Sequence, residues 1–131
     1  LTFRLTCDMR EVEKMYRLAV FNVLAHNRDD HSKNFSFLMD AQGNWRLPPA
    51  YDLTFSYGPG GEQSTLVMGE GRNPGVEHLV KLGLEAKLAK SHITEIIDQT
   101  RAALSSWSSL AKQYGVSEVN VQLIAKRMQE K

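Results

Sequence analysis

The sequence predicts a mainly α-helical domain interrupted early by one small β-hairpin. Three observations carry that reading. Apolar residues recur at helical spacing before position 25 and again after position 76, a two-strand pattern occupies residues 35–47, and glycine and proline crowd the stretch after it. At 131 residues the chain is one domain, on a norm of roughly 100–200 residues each. Its 42% hydrophobic and 24% charged residues match a globular protein rather than a disordered or fibrous one. Lys and Arg number 16 against 15 Asp and Glu, a net charge of +1 that gives no electrostatic reason to expect nucleic acid or an anionic membrane as partner. No apolar run approaches the roughly 18 residues of a membrane span, since even residues 18–25 include Asn22. The first residues lack the apolar core of a signal peptide, and the lone Cys7 cannot close an intrachain disulfide, so a cytoplasmic location is expected. Leu1 in place of an initiator Met points to a piece of something longer.

The first helix opens at Asp8, a good N-cap, with Glu11 as its capping-box partner. Val12, Met15, Tyr16, Ala19 and Val23 follow on one face and Leu18, Phe21 and Ala25 on another. A helix apolar on two faces is buried, and this one should run to about Leu24. Residues 35–39 and 45–47 read as strands around a Gly-containing turn, and Pro48-Pro49 ends the second because neither ring can donate to a ladder. Residues 53–75 read as a long irregular loop, functional or mobile, with one short strand at 64–68. Beyond it, residues 76–82 form a short helix stopped by Gly83, and 85–90 another. A long helix capped by Ser91 then carries Ile93, Ile97, Thr100, Leu104, Trp107 and Ala111 to Gly115. Ser117 caps a last helix with Val121, Ile124, Ala125 and Met128 inward. Trp45, Trp107 and the methionines belong to the core on this reading.

Reactive side chains are densest at His26, Asn27, Arg28, Asp29, Asp30, His31, Lys33 and Asn34, with Asp52 just past the hairpin. Phosphoryl transfer suits such a set, because it asks a protein mainly to position groups and neutralise charge. It needs a carboxylate to orient the attacking hydroxyl and oxygen ligands for Mg²⁺, which takes one or two carboxylates alongside phosphate and water. Asp29 and Asn34 lie five apart in one loop, and a hairpin folding back on itself can return Asp52 to Asn34. Asp29 is then the base, and Asn34 and Asp52 the metal ligands.

Asn27-Arg28-Asp29-x-x-x-x-Asn34 resembles the H-R-D-x-x-x-x-N catalytic loop of protein kinases, with Tyr51-Asp52-Leu53 where D-F-G would stand. More specifically, Asp29-Asp30-His31-Ser32-Lys33-Asn34-Phe35-Ser36 followed by Pro49-Ala50-Tyr51-Asp52-Leu53 is similar to the C-terminal kinase domain of HipA-type toxins. The resemblance covers most of the chain and implies a protein-kinase-like C-lobe of α+β class. It implies a Ser/Thr protein kinase of a bacterial toxin–antitoxin module, using ATP and Mg²⁺. Its expected partners are a HipB-type DNA-binding antitoxin and a protein substrate such as an aminoacyl-tRNA synthetase, whose phosphorylation slows growth and promotes persistence. By position, Asp29 resembles the catalytic base and Asn34 and Asp52 the Mg²⁺ ligands, while His31 and Lys33 match motif positions that support phosphate or loop.

The sequence also departs from the pattern. Asn27 replaces the histidine of H-R-D, and Leu53-Thr54 replaces F-G. Kinases cover the nucleotide with a Gly-rich loop and a strand lysine upstream, yet the 28 residues before Asp29 contain no glycine. Gly58-Pro59-Gly60-Gly61 is a poor substitute, since its proline lacks an N–H and no helix N-terminus follows. It lies where an activation segment would, with Thr54, Ser56, Ser64 and Thr65 as candidate modification sites. Residues 1–131 are therefore read as a single kinase subdomain without its nucleotide-binding lobe, inactive alone. Other readings use the same residues. Asp29, Asp30 and Asn34 are good turn formers, His31 can be a structural hydrogen-bonder, and His26, His31 and Asp30 can be read as a metal site. The alternative is a non-catalytic remnant that binds an antitoxin or another protein, against which the intact Asp29, Asn34 and Asp52 argue.

Overall fold

A computed structural model describes residues 1–130. Six helices and one two-stranded antiparallel sheet follow in the order α1 (Thr2–Thr6), α2 (Met9–Leu24), β1 (Leu38–Met39), β2 (Trp45–Arg46), α3 (Val76–Glu85), α4 (Lys90–Leu104), α5 (Trp107–Gln113) and α6 (Glu118–Gln129). Leu38 pairs with Arg46 and Met39 with Trp45. This is the mainly helical α+β architecture that the sequence predicts. No helix among the described residues is long and apolar enough to cross a membrane.

The core lies between α2, α3 and α4. Tyr16, Val20, Val23 and Leu24 of α2 meet Leu79 of α3 and Ile93, Ile96 and Ile97 of α4, with Val67 inserted from the long connection. Each such side chain stabilises the fold by roughly 1.5–3 kcal/mol through burial. The Tyr16 hydroxyl donates to Leu79 O at 3.1 Å, and burial pushes its pKa up to about 12. Asp8 caps α2 as expected, accepting from Arg10 N at 2.8 Å. Ser117 caps α6, accepting from Asn120 N at 3.4 Å.

Several expected boundaries move, each for a local reason. The sequence reading omits α1, which has no side-chain N-cap; it closes through Thr6 Oγ1 to Thr2 O at 3.0 Å and a left-handed Cys7. The strands are two residues each rather than five and three. Helix α1 lies beside β2, yet so small a hairpin covers little, and Trp45 and Met39 are exposed rather than core. The strand expected at 64–68 is instead a tight turn, with Val67 and Glu70 exchanging backbone bonds across left-handed Met68 and Gly69.

Gly83 does not stop α3 but lies buried inside it. A Cβ there would sit 2.6 Å from Ile93 Cδ1 and 3.1 Å from Tyr16 Cζ, so glycine is what lets α3 approach α4. The stop comes later, at left-handed Lys87, and this excludes a helix over 85–90. Helix α4 starts at Lys90 on Ala89 rather than at a Ser91 cap, and it ends at Leu104 rather than running to Gly115. There Ser105 Oγ turns back onto Ala102 O at 2.6 Å, the competition with the backbone by which serine ends helices.

Gly83→Ala should lower stability by about 1–3 kcal/mol from overpacking, outweighing the roughly 1 kcal/mol by which alanine favours a helix. A denaturant midpoint at or above the parent's would contradict the close-approach account.

His92 of α4 joins α2 across the core's edge, with Nε2 3.0 Å from Glu13 Oε2 and Nδ1 3.3 Å from Glu95 Oε2, while Arg17 holds Glu13 from the other side. Glu13 first, then Glu95, pulls the imidazole above its ordinary range. The clasp is therefore complete below the unfolded value near 6.5 and is lost as pH rises through the raised folded value. Glu13, held below the usual carboxylate range by His92 and Arg17, loses its share only on acidification. Urea midpoints should fall from pH 6 to alkaline pH in the parent, and His92→Gln should flatten that fall.

Candidate active site

The polar loop starts with a buried polar pair. Asn22 interrupts the apolar run of α2 and is only 3% exposed, so it needs a partner. Asn27 supplies it, donating Nδ2 to Asn22 Oδ1 at 3.0 Å and its backbone N–H to Asn22 O at 2.8 Å. Between them His26 takes a left-handed turn (φ 57°) and stacks on Phe55 at 5.4 Å, with Tyr57 edge-on to both rings. Ser56 N donates to His26 O at 3.0 Å, so the segment after Asp52 runs parallel to the loop's first residues.

From here the loop is stitched to residues 56–72. The Asp30 carboxylate accepts from Gln63 Nε2 at 2.8 Å and Thr65 N at 2.9 Å, and its carbonyl accepts from the Thr65 hydroxyl. Gln63 also donates to Asn27 O at 3.2 Å. Ser64 gives its N–H and its hydroxyl to Arg28 O, at 3.0 and 2.9 Å. The Arg28 guanidinium donates to Gly61 O and, at 2.9 Å, to Arg72 O. Gly58 (φ 72°) permits the crossing, since a Cβ there would run into Glu62 O and sit 2.7 Å from Arg28 Cβ. Burial pushes the Asp30 carboxyl above the usual carboxylate range, opposed by the Gln63 and Thr65 donors.

The candidate residues themselves face outward. Asn34 donates Nδ2 to Asp29 O at 2.8 Å, which commits the amide nitrogen and leaves Oδ1 for another partner. His31 caps the 3-10 turn Ser32–Asn34 by accepting from Lys33 N at 3.3 Å, and its Nε2 lies 3.9 Å from Asp29 Oδ1. Tyr51 donates its hydroxyl to Lys33 O at 3.0 Å, tying the Tyr-Asp segment to that turn. Asp52, next to Tyr51, is exposed and left-handed (φ 54°). Lys33 is exposed. Asp29, Asn34 and Asp52 offer two carboxylates and an amide oxygen, the hard donor set that suits Mg²⁺ shared with phosphate.

The rival metal reading fails on geometry. His26 is 4% exposed and packed among rings, Asp30 turns inward to Gln63, and His31 faces solvent. Among the described residues no three His, Cys, Asp or Glu side chains converge on a metal position.

Beside Asn34 and Tyr51 opens a cleft of about 570 Å³, walled by Leu18, Phe35, Leu47 and Pro49, with Lys14 and Arg46 on its lining. The hairpin forming one wall is tied to α2 by Glu11, whose buried carboxylate accepts from Leu47 N at 2.6 Å and pairs with Lys14. Glu11 was expected as a capping-box residue; its position three after Asp8 signals a cap, and nothing local signals a partner 36 residues away. Gln63 was equally invisible, a single amide in a glycine-rich stretch.

Replacing Asp30 by alanine should strip Thr65 N of its acceptor and destabilise the chain by about 1–3 kcal/mol. Hydrogen exchange should speed up most at residues 61–67, while α4 amides keep their protection. Uniform loss across both would mean the stitching is not local to this loop.

The HipA-like C-terminal domain model matches residues 2–107, which include the loop, the hairpin and the stitched segment. Over 104 residues the chain is 32% identical to a Sinorhizobium fredii (strain NBRC 101917 / NGR234) protein named "Putative kinase Y4mE", a stretch covering 72% of this chain and 24% of that one. The chain thus spans about a quarter of that relative's length. A family match over residues 2–107, most of the chain, makes this protein a member of the HipA-like C-terminal domain family.

Proposed function

We propose that this chain is the catalytic lobe of a HipA-type Ser/Thr protein kinase, transferring the ATP γ-phosphoryl group to a protein hydroxyl. One observation carries the reading. Asn34 is bonded to Asp29 O, and Tyr51 to Lys33 O, which links the segment bearing Asp52 to the loop bearing Asp29. Asp29 accepts the proton of the attacking hydroxyl as its oxygen bonds to the γ-phosphorus and the bond to the ADP oxygen breaks. Asn34 Oδ1 and the Asp52 carboxylate would hold Mg²⁺, whose charge would offset that of the phosphates. Lys33 adds a mobile cation nearby, and His31 keeps the turn that presents Asn34.

The nucleotide meets one wall here. A Gly-rich loop and a lysine for the other wall belong to the remainder of a longer HipA-like protein, in keeping with the 24% of the relative that this chain matches. In that setting the kinase is a toxin of the bacterial cytoplasm, restrained by a HipB-type antitoxin, and an aminoacyl-tRNA synthetase is the first substrate to test.

In a full-length HipA-like protein carrying this lobe, Asp29→Asn should cut transfer by about 10²–10⁴-fold while sparing Mg-ATP affinity. Asp52→Asn should weaken both. Calorimetry and phosphate transfer from labelled ATP separate the two effects, and equal loss of nucleotide affinity in both variants would undo these roles. The 131-residue chain alone should bind Mg-ATP weakly or not at all; robust phosphorylation by it would refute the one-wall account.

A further inference from the structure

Helix α6 lies beyond the residues matched to the family, and one of its side chains reaches the start of the polar loop. Val121 is fully buried, and Ala125 and Met128 share a cleft of about 480 Å³ with Leu24, the last residue of α2. That seating sets Arg127 beside the turn where α2 gives way to the loop. Its guanidinium carbon is 5.9 Å from the centre of the Tyr57 ring, within reach of a cation–π contact, and its Nη1 pairs with Glu130 at 3.0 Å. Tyr57 is half-exposed, and its ring stands edge-on to Phe55 at 5.2 Å and to His26 at 6.3 Å.

His26 is the point that needs support. Its φ of 57° lies in the left-handed region, and it opens the loop three residues before Asp29. Such a backbone persists at a side-chain-bearing residue where its surroundings hold it. The Phe55 and Tyr57 rings and the Ser56 N–H on His26 O contribute that hold. Burial first, then the Arg127 charge, draws the Arg28 guanidinium below its ordinary value, so the Arg127 field reaches the residue next to Asp29. Two like charges approach there, and the electron-rich Tyr57 ring is what favours Arg127 in that place.

We propose that Arg127 is a positioning residue for Asp29. It steadies Tyr57 and, through that ring, the His26 turn from which the loop departs. The placement holds whatever chemistry Asp29 performs, and its effect on turnover rests on the phosphoryl-transfer reading.

Amide exchange in the 131-residue chain, followed by NMR, reads the placement at Asn27 N, bonded to Asn22 O, and at Ser56 N, bonded to His26 O. Arg127→Gln should speed exchange at both about two- to fivefold, the margin of an exposed cation–π contact, and leave the Ile96 and Ile97 amides of α4 unchanged. Arg127→Lys keeps a cation over the ring and should restore most of the protection. With the ring removed by Tyr57→Leu, Arg127→Gln should add nothing further. Unchanged exchange at Asn27 and Ser56, an equal effect without the ring, or equal acceleration in α4 would each overturn the proposal. In a full-length HipA-like protein carrying this lobe, Arg127→Gln should lower kcat by about the same two- to fivefold with the KM for ATP unaltered. Faster exchange beside an unaltered kcat would overturn the catalytic consequence. A parent protein with no transfer at all would instead count against the phosphoryl-transfer reading, while the exchange result still decides the placement.

Discussion

The Asp30 carboxylate accepts hydrogen bonds from residues 33 and 35 positions further along the chain, and the geometry of the polar loop depends on that arrangement. A carboxyl group only 4% exposed pays heavily in lost hydration, which is why burial drives its pKa upward. Donors on both oxygens, with a further bond to its own carbonyl, compensate enough for the loop to hold one conformation. The constraint is mutual. Residues 56–72 have almost no regular structure of their own, and their backbone groups find partners in Arg28, Asp30 and each other. Each segment satisfies backbone groups of the other.

A second tie of the same kind fixes the hairpin. Two residue pairs of ladder are too few to stabilise a sheet in water, and all four strand residues stay exposed. Buried Glu11 reaches from the first turn of α2 to Leu47 N, and the Lys14 ammonium, with that N–H, holds its carboxyl below the usual carboxylate range. The chain then passes through Pro48-Pro49, which restricts its path, to Tyr51 and the bond onto Lys33 O. Helix α2 thereby anchors both arms of the candidate site: directly through Asn22 and Asn27 on the loop side, and through Glu11 on the hairpin side.

Helices α2 and α6 were legible because apolar periodicity and caps are local signals, and Asp8 and Ser117 do cap as the sequence indicates, whereas α4 was legible in its apolar stripe but not in its Ser91 cap or its end. The reactive loop was legible for a similar reason, its residues being contiguous. What escaped was whatever depends on distant chain. Gly83 reads as a helix stop until the position of Ile93 is known, because the same residue that ends helices also lets them pack closely. The stretch from 53 to 75 reads as loose from its glycines, yet Gly58 is there to let the chain cross Arg28. Trp45 reads as core from its hydrophobicity, and only the shortness of the hairpin leaves it uncovered.

Asp29 and Asp30 are chemically identical neighbours with opposite environments, and the contrast explains how one short loop can serve both folding and the chemistry proposed for it. Asp30 is spent entirely on structure, its oxygens taken by Gln63 and Thr65. Asp29 contributes its carbonyl to Asn34 and keeps its side chain 47% exposed, with His31 Nε2 3.9 Å from its Oδ1. Fixing the backbone through one aspartate removes the need to fix it through the other. A carboxylate that must accept a proton from an arriving hydroxyl has to be held in place by its main chain while its own oxygens stay unengaged. In this loop the main chain on both sides of Asp29 is bonded, at Arg28 O and Asp30 O, so the side chain between them is positioned without being consumed.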